Sequence, residues 1–189
     1  MMPDTSKKAG LLKVTLMTGM AFLLAGSIKS PLFQAYGEEN FLQIVLVIIL
    51  SYLFQGVIGC YVLAWLLRDQ YPIKRLWIIC VGSILIGISI PVLLFSQFFF
   101  TLLFVPYILI GFVLGIFLKG KSQTVLSCGI GGLLANAYFM LAGNLLQPLI
   151  LKINDTYGVW LSSMVVNGVP DFLLGASIAL GIALLRAHS

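Results

Sequence analysis

Long apolar runs separated by short polar segments dominate this chain. The runs lack the strict alternation of a half-buried strand, and most can supply the roughly 20 residues with which a helix crosses a bilayer. The apolar stretch 76–118 is too long for one crossing, and Ser96 and Gln97 interrupt it shortly after Pro91, so we divide it into two helices. The pattern predicts six helices at about residues 11–28, 41–67, 76–96, 99–118, 124–148 and 160–186.

Composition supports the same interpretation. Of the 189 residues, 60% are hydrophobic and only 9% are charged, whereas soluble domains carry about 25% charged residues. Six spans occupy almost the whole chain, so we expect one transmembrane domain over residues 1–189 and no extramembrane domain. The predicted fold class is an all-α integral membrane protein with six transmembrane helices.

The positions of the basic residues predict an orientation. If the N-terminus is cytoplasmic, nine of the eleven Lys and Arg residues lie inside and only Lys29 and Lys152 lie outside. Cytoplasmic loops carry such an excess, so we expect both termini in the cytoplasm. The net charge of +5 is spread over helix ends, which offers no basic face for nucleic acid.

The first apolar run is either a cleaved signal peptide or an uncleaved first helix. Lys7 and Lys8 precede it, as in the basic region of a signal peptide, and residues 24–27 are a conceivable cleavage site. The run is longer than the usual apolar core of a signal peptide, and we expect it to stay uncleaved as the first helix.

A stripe of amides marks the predicted fifth helix. On an α-helix Asn136, Met140, Asn144 and Gln147 fall within about 80° of one another, with Gly129 and Gly143 on the same side. Unpaired amides facing hydrocarbon would cost several kcal/mol each, so we expect the stripe to face protein or a water-filled cavity. The amides either tie helices together or line a ligand or transport site.

Asp171 is the acidic residue that most needs an explanation. Because proline suits the first turn of a helix, the last helix could begin at Pro170 and place Asp171 near the outer surface, where an acid complements the helix dipole. Residues 158–166 would then form a short re-entrant or interfacial piece. Asp171 would serve as a helix-start residue alone or also contact a ligand.

The sequence offers no catalytic or metal-binding constellation, so we predict a protein that is not an enzyme and has no cofactor. Cys60, Cys80 and Cys128 lie in apolar runs without paired spacing, and His188 is the single histidine. An aspartate pair would have to join Asp171 to Asp155, which lies in a segment, 152–158, that we predict to be an exposed turn.

Taken together, these features resemble a known family. The length, the inferred topology, Ala21 and Ala25 in the first helix, and the segment 169–174 are similar to those of substrate-binding S components of energy-coupling factor transporters. The resemblance implies a bacterial inner (cell) membrane protein that captures a vitamin or nutrient and delivers it through a transmembrane coupling subunit with ATPases. Its partners would be the lipid bilayer, a small molecule and that coupling module.

The resemblance also implies roles for particular residues. Ala21 and Ala25 would contact the coupling subunit. A small, largely uncharged or amphipathic ligand would bind in the outer half of the protein, where Tyr138 or Trp160 would be a stacking wall. The implied ligand-binding residues are Gln97, Asn136, Tyr138, Asn144, Gln147, Trp160, Asn167 and Asp171.

Two other functions fit the sequence. A non-catalytic structural or assembly subunit of a larger membrane complex would use its glycine-lined faces for helix packing. A lipid-modifying enzyme or intramembrane protease would use Asp171 as acid or base, but it needs a second ionisable group that the sequence does not supply.

Overall fold

Helices make up almost all of the computed structural model, which describes residues 5–27, 41–95 and 104–186. The described residues contain seven helices and no strand. Gln97, one of the predicted site residues, lies outside this part of the chain. The helices are α1 (Thr5–Gly26), α2 (Phe41–Leu66), α3 (Ile73–Phe95), α4 (Phe104–Leu118), α5 (Lys121–Asn144), α6 (Gln147–Tyr157) and α7 (Val159–Arg186).

Six of these helices form a closed bundle. Each of α1, α2, α3, α4 and α5 packs against its neighbour in the chain, and α7 closes the bundle by packing against both α5 and α1. Buried side chains from all six fill the middle, among them Phe22, Leu63, Ile84, Ile110 and Ile178. The short helix α6 lies on the outside, mainly against α7.

Phe22 of α1 makes close contacts with two other helices. Its ring is fully buried and lies between Gly59 of α2 and Gly175 of α7. A Cβ atom at Gly175 would stand 2.6 Å from the ring, and one at Gly59 would also overlap it. The two glycines therefore make the room that α1 needs to pack between α2 and α7.

Helix length and surface chemistry fit a membrane protein. Within the described residues four segments are long and apolar enough to cross a membrane, namely Val45–Leu66, Ile73–Leu94, Ser122–Ala142 and Trp160–Leu185. The segments Gly10–Gly26 and Phe104–Leu118 are apolar but shorter. Large apolar side chains such as Leu93, Leu126 and Leu133 are exposed on the outside of the bundle. Helices that are apolar on the outside as well as in the core are typical of membrane spans.

The segment after α5 differs from the sequence-based prediction. We expected the fifth helix to reach residue 148 and an exposed turn at 152–158, but α5 ends at Asn144 and the separate helix α6 follows. Pro148 lies in the first turn of α6, where its missing N–H costs no hydrogen bond. Gly158, with a φ of 86°, supplies the left-handed conformation between α6 and α7. The turn prediction is therefore wrong, although α6 has no buried residues.

The last helix also differs from one of the two predictions made for it. The helix α7 is continuous from Val159 to Arg186 and contains Pro170 in its interior. It does not begin at Pro170, and residues 159–166 form its first two turns rather than a re-entrant piece. An interior proline is tolerated in a membrane helix because neighbouring helices can satisfy the carbonyl that it frees.

Candidate functional site

Asp171 lies deep inside the bundle rather than at its surface. Its side chain is only 2% exposed. Twelve residues of α7 precede it and fifteen follow, which puts it about 18 Å and 22 Å from the two ends at 1.5 Å per residue. The prediction that Asp171 starts a helix near the outer surface is wrong, since the helix continues through Pro170.

Gln55 of α2 and Gly26 of α1 meet Asp171 at the junction of three helices. A Cβ atom at Gly26 would overlap the Asp171 carboxylate and stand 3.0 Å from Gln55 Nε2. Gln55 is fully buried, and its Nε2 donates a hydrogen bond of 3.0 Å to the carbonyl oxygen of Phe22. We call these three residues, Gly26, Gln55 and Asp171, the polar junction. The glycine lets an amide and a carboxylate lie against the end of α1.

The polar junction has acceptors that would suit a ligand. Within the described chain Gln55 Oε1 is buried and has no hydrogen-bond partner. A carboxylate such as that of Asp171 accepts hydrogen bonds through both of its oxygens when ionised. Most buried polar atoms in folded proteins are hydrogen-bonded, so a buried acceptor without a partner in the described chain, such as Gln55 Oε1, is unusual.

Other buried polar side chains tie helices to the backbone of α7. The hydroxyl of Tyr107 on α4 donates to the carbonyl oxygen of Pro170, one residue before Asp171. On α5, the hydroxyls of Ser127 and Tyr138 donate to the carbonyl oxygens of Ser177 and Val165. Three hydroxyls from two helices thus fix α7 along its length.

The predicted amide stripe does not form one inward face. Asn136 is half-buried, and its Oδ1 has no hydrogen-bond partner in the described chain. Asn144 is exposed and donates to Met140 of its own helix, while Gln147 is exposed on α6, a different helix. The stripe prediction fails at Gln147 because α5 ends before that residue, and it fails at Asn144 because this last residue of α5 is exposed.

The remaining predicted ligand residues are spread over the molecule. Tyr138 is half-buried and bonded to α7, Asn167 is half-buried on α7, and Trp160 is 54% exposed. The structure brings Tyr138 close to the α7 segment that carries Asn167, through its bond to Val165. It does not bring Trp160 or Gln147 to the buried polar junction, so no ligand pocket formed by the whole set is seen in the described residues.

The two alanines assigned to a partner contact have different surroundings. Ala25 is only 6% exposed because α1 packs against α2 and α7, whereas Ala21 is half-buried. Ala21 is thus the more accessible member of the pair. A contact with a partner subunit stays a prediction for both.

Sequence reasoning missed Gln55 and Tyr107. Gln55 is one of two amides in the apolar run 41–67, the other being Gln43 near its start, and Tyr107 is an aromatic residue in an apolar run. Neither forms a pattern with its neighbours in sequence. The available signal was the cost of an amide in the middle of a membrane helix, which argues that Gln55 must face protein.

No metal centre or disulfide is present in the described chain. It contains no group of three or more His, Cys, Asp or Glu side chains placed to hold a metal ion. Cys60, Cys80 and Cys128 are buried and free. The candidate site in the described residues is therefore the buried polar junction.

Comparison with known proteins gives no family for this chain: no protein-family model, no curated protein and no solved structure matches it. The described residues form a helical protein with several apolar helices of membrane-spanning length, and the polar junction lies inside it.

Proposed function

We propose that this protein crosses the membrane six times and has both termini in the cytoplasm. The four long apolar segments and the two shorter ones would be the spans. The start of α3 and the end of α4 share one groove, lined by Arg75 and Lys119, and Gly120 faces Leu185 near the end of α7. The basic connections therefore lie at one end of the bundle, which supports a cytoplasmic assignment for that end.

Cysteine labelling tests this topology. After the three native cysteines are replaced by alanine, a cysteine introduced at exposed Gln70 should react with a membrane-impermeant reagent only in opened cells, because Gln70 lies in the basic connection between α2 and α3. A cysteine at exposed Thr156 on α6 should react in intact cells. Labelling of the Gln70 position from outside would overturn the proposed orientation.

We also propose that the protein is a non-catalytic subunit that binds a vitamin or similar nutrient and takes it up with an ATP-driven coupling module in a bacterial cell membrane. The observation that carries this proposal is the Asp171 carboxylate, buried near the middle of the longest candidate span beside Gln55. A charged side chain at the centre of a bilayer costs about 2.5–3.5 kcal/mol on insertion scales, and such residues mark substrate and ion pathways.

The geometry of the polar junction favours a particular kind of ligand. Asp171 and Gln55 both offer acceptor oxygens, so the proposed ligand is a small molecule that presents hydrogen-bond donors. The end of α1 covers the carboxylate at Gly26. The ligand would therefore reach Asp171 when the end of α1 moves away from α7.

A thermal-shift screen with vitamins and other nutrients tests this function. Ligand at 100 times its Kd should stabilise the purified protein by about 2.7 kcal/mol, which corresponds to a rise in Tm of about 5–10 °C for a chain of this size. The same preparation in mild detergent should retain an ATPase pair and a coupling subunit. Failure of every compound to shift Tm would contradict the binding proposal.

A structural subunit is the second candidate function. It is favoured by the hydroxyl groups of Tyr107, Ser127 and Tyr138, all of which donate to backbone oxygens of α7. In that case the buried polar groups serve to fix helices against one another, as polar side chains do in membrane bundles. Retention of partner subunits without stabilisation by any small molecule would favour this function.

A further inference from the structure

A groove opens between α3 and α4 at the basic end of the bundle. It encloses about 180 Å³ and is lined by residues from the start of α3 and from the end of α4. Its lining includes the cations Arg75 and Lys119 and the apolar side chains of Ile79, Phe117 and Leu118. The groove is separate from the polar junction, since it has no residue in common with it.

The two cations in the groove are available to an anion. Both Arg75 and Lys119 are exposed, and the groove lining contains no acidic residue. The neighbouring Arg68 is different, because it lies 3.9 Å from Asp69 and its guanidinium stacks over the ring of Trp65. No ion pair of Arg75 or Lys119 occurs in the described part of the chain.

The backbone at Lys119 supports a role for its side chain. Lys119 follows the last residue of α4 with a φ of 57°, the only non-glycine residue with a positive φ among those described. Glycine is the residue that normally fills this left-handed position at the end of a helix. Lys119 is thus a lining residue of the groove in a backbone conformation that disfavours side chains, and such positions are concentrated at functional sites.

Polarity in the groove changes along the helix axes. Ile79 lies one helical turn beyond Arg75 on the same side of α3, about 6 Å deeper in the bundle. On α4, Phe117 precedes Lys119 and is 55% exposed. The groove therefore has its two cations at the helix ends and apolar side chains beside them, with Ile79 nearer the middle of the span, as the head group and acyl chain of a phospholipid require.

We propose that this groove binds one anionic phospholipid of the membrane leaflet at the basic end, with its phosphate between Arg75 and Lys119 and an acyl chain along Ile79 and Phe117. Basic pockets between membrane helices suit lipid head groups of this charge. The proposal rests on the helices crossing a membrane, and it is independent of the ligand proposed for the polar junction.

Lipid titration of the purified full-length protein tests the proposal. Phosphatidylglycerol should raise Tm, and native mass spectrometry should show one tightly retained lipid, whereas phosphatidylcholine should give a weaker effect. The Arg75→Gln and Lys119→Gly variants should each bind phosphatidylglycerol about fivefold more weakly. Lys74→Gln is the matched control, because Lys74 is exposed on the same turn of α3 but does not line the groove.

The Lys119→Gly variant separates loss of the lipid contact from misfolding. Glycine suits the left-handed position, so this variant should melt at the same or a higher temperature than the native protein when lipid is absent. Equal binding of the two lipids, or equal weakening by Lys74→Gln, would overturn the proposal. So would inorganic phosphate at the same concentration reproducing the full effect, because that would indicate a site for a free anion.

Discussion

The Asp171→Asn variant should fold as well as the native protein and lose most of its ligand binding. Asparagine has nearly the shape of aspartate, so it should fit the same buried space beside Gly26 and Gln55. The change also replaces a buried carboxyl group near the middle of the longest span by an amide. Loss of one charge-assisted hydrogen bond to the ligand costs about 1.5–3 kcal/mol, or about a 10- to 100-fold weaker affinity.

Melting temperature and ligand binding must be measured on the same preparation, because a ligand site and a purely structural role predict different combinations of the two. A ligand site predicts an unchanged or higher Tm with reduced binding. If Asp171 has only a structural role, the Asp171→Asn variant should bind ligand normally, whether or not its Tm changes. Asp155→Asn is the matched control, since it makes the same chemical change at an exposed position on α6 and should leave both measurements unchanged.

The apolar runs predicted where most of the helices lie. Five of the predicted spans overlap α1, α2, α3, α4 and α5, and the sixth overlaps α7. Such runs are informative because a helix in a membrane satisfies its own backbone hydrogen bonds and needs little else from its neighbours. Helix ends are less determined by the sequence, as the end of α5 at Asn144 shows.

Two errors in the sequence analysis have a common cause. The segment 147–157 contains Asn154, Asp155 and Thr156, residues typical of turns, and yet it forms α6 against α7. Pro170 resembles a helix start, but α7 continues through it. In both places the residues prefer a turn or a helix start locally, yet they lie within a helix, so local preference alone does not decide the structure.

The polar junction shows a further limit of sequence reasoning. Asp171 was identified because a carboxylate near an apolar run is rare. Its neighbour Gln55 lies 116 positions earlier in the chain and was not identified. Gly26, which brings the two together, is one of 19 glycines. Which amide meets which carboxylate depends on the packing of α1, α2 and α7, and no local pattern specifies it.

The Gly175→Ala variant should be markedly less stable than the native protein. The new Cβ atom would stand 2.6 Å from Phe22 Cδ2 and 2.8 Å from the backbone oxygen of Thr18. Phe22 cannot move away easily, because Gly59 confines its ring from α2. Overpacking of this kind costs about 1–3 kcal/mol, which corresponds to a fall in Tm of about 2–12 °C for a chain of this size.

Gly82→Ala is the matched control for the loss of a helical glycine. No atom of another residue lies within 4 Å of a Cβ atom at Gly82, so alanine should stabilise α3 by about 0.5–1 kcal/mol. The double variant Phe22→Leu with Gly175→Ala should melt higher than the sum of the two single changes predicts, because the smaller side chain makes room for the new methyl group. Strict additivity, or native stability of Gly175→Ala alone, would show that the Phe22 contact does not hold α1 between α2 and α7.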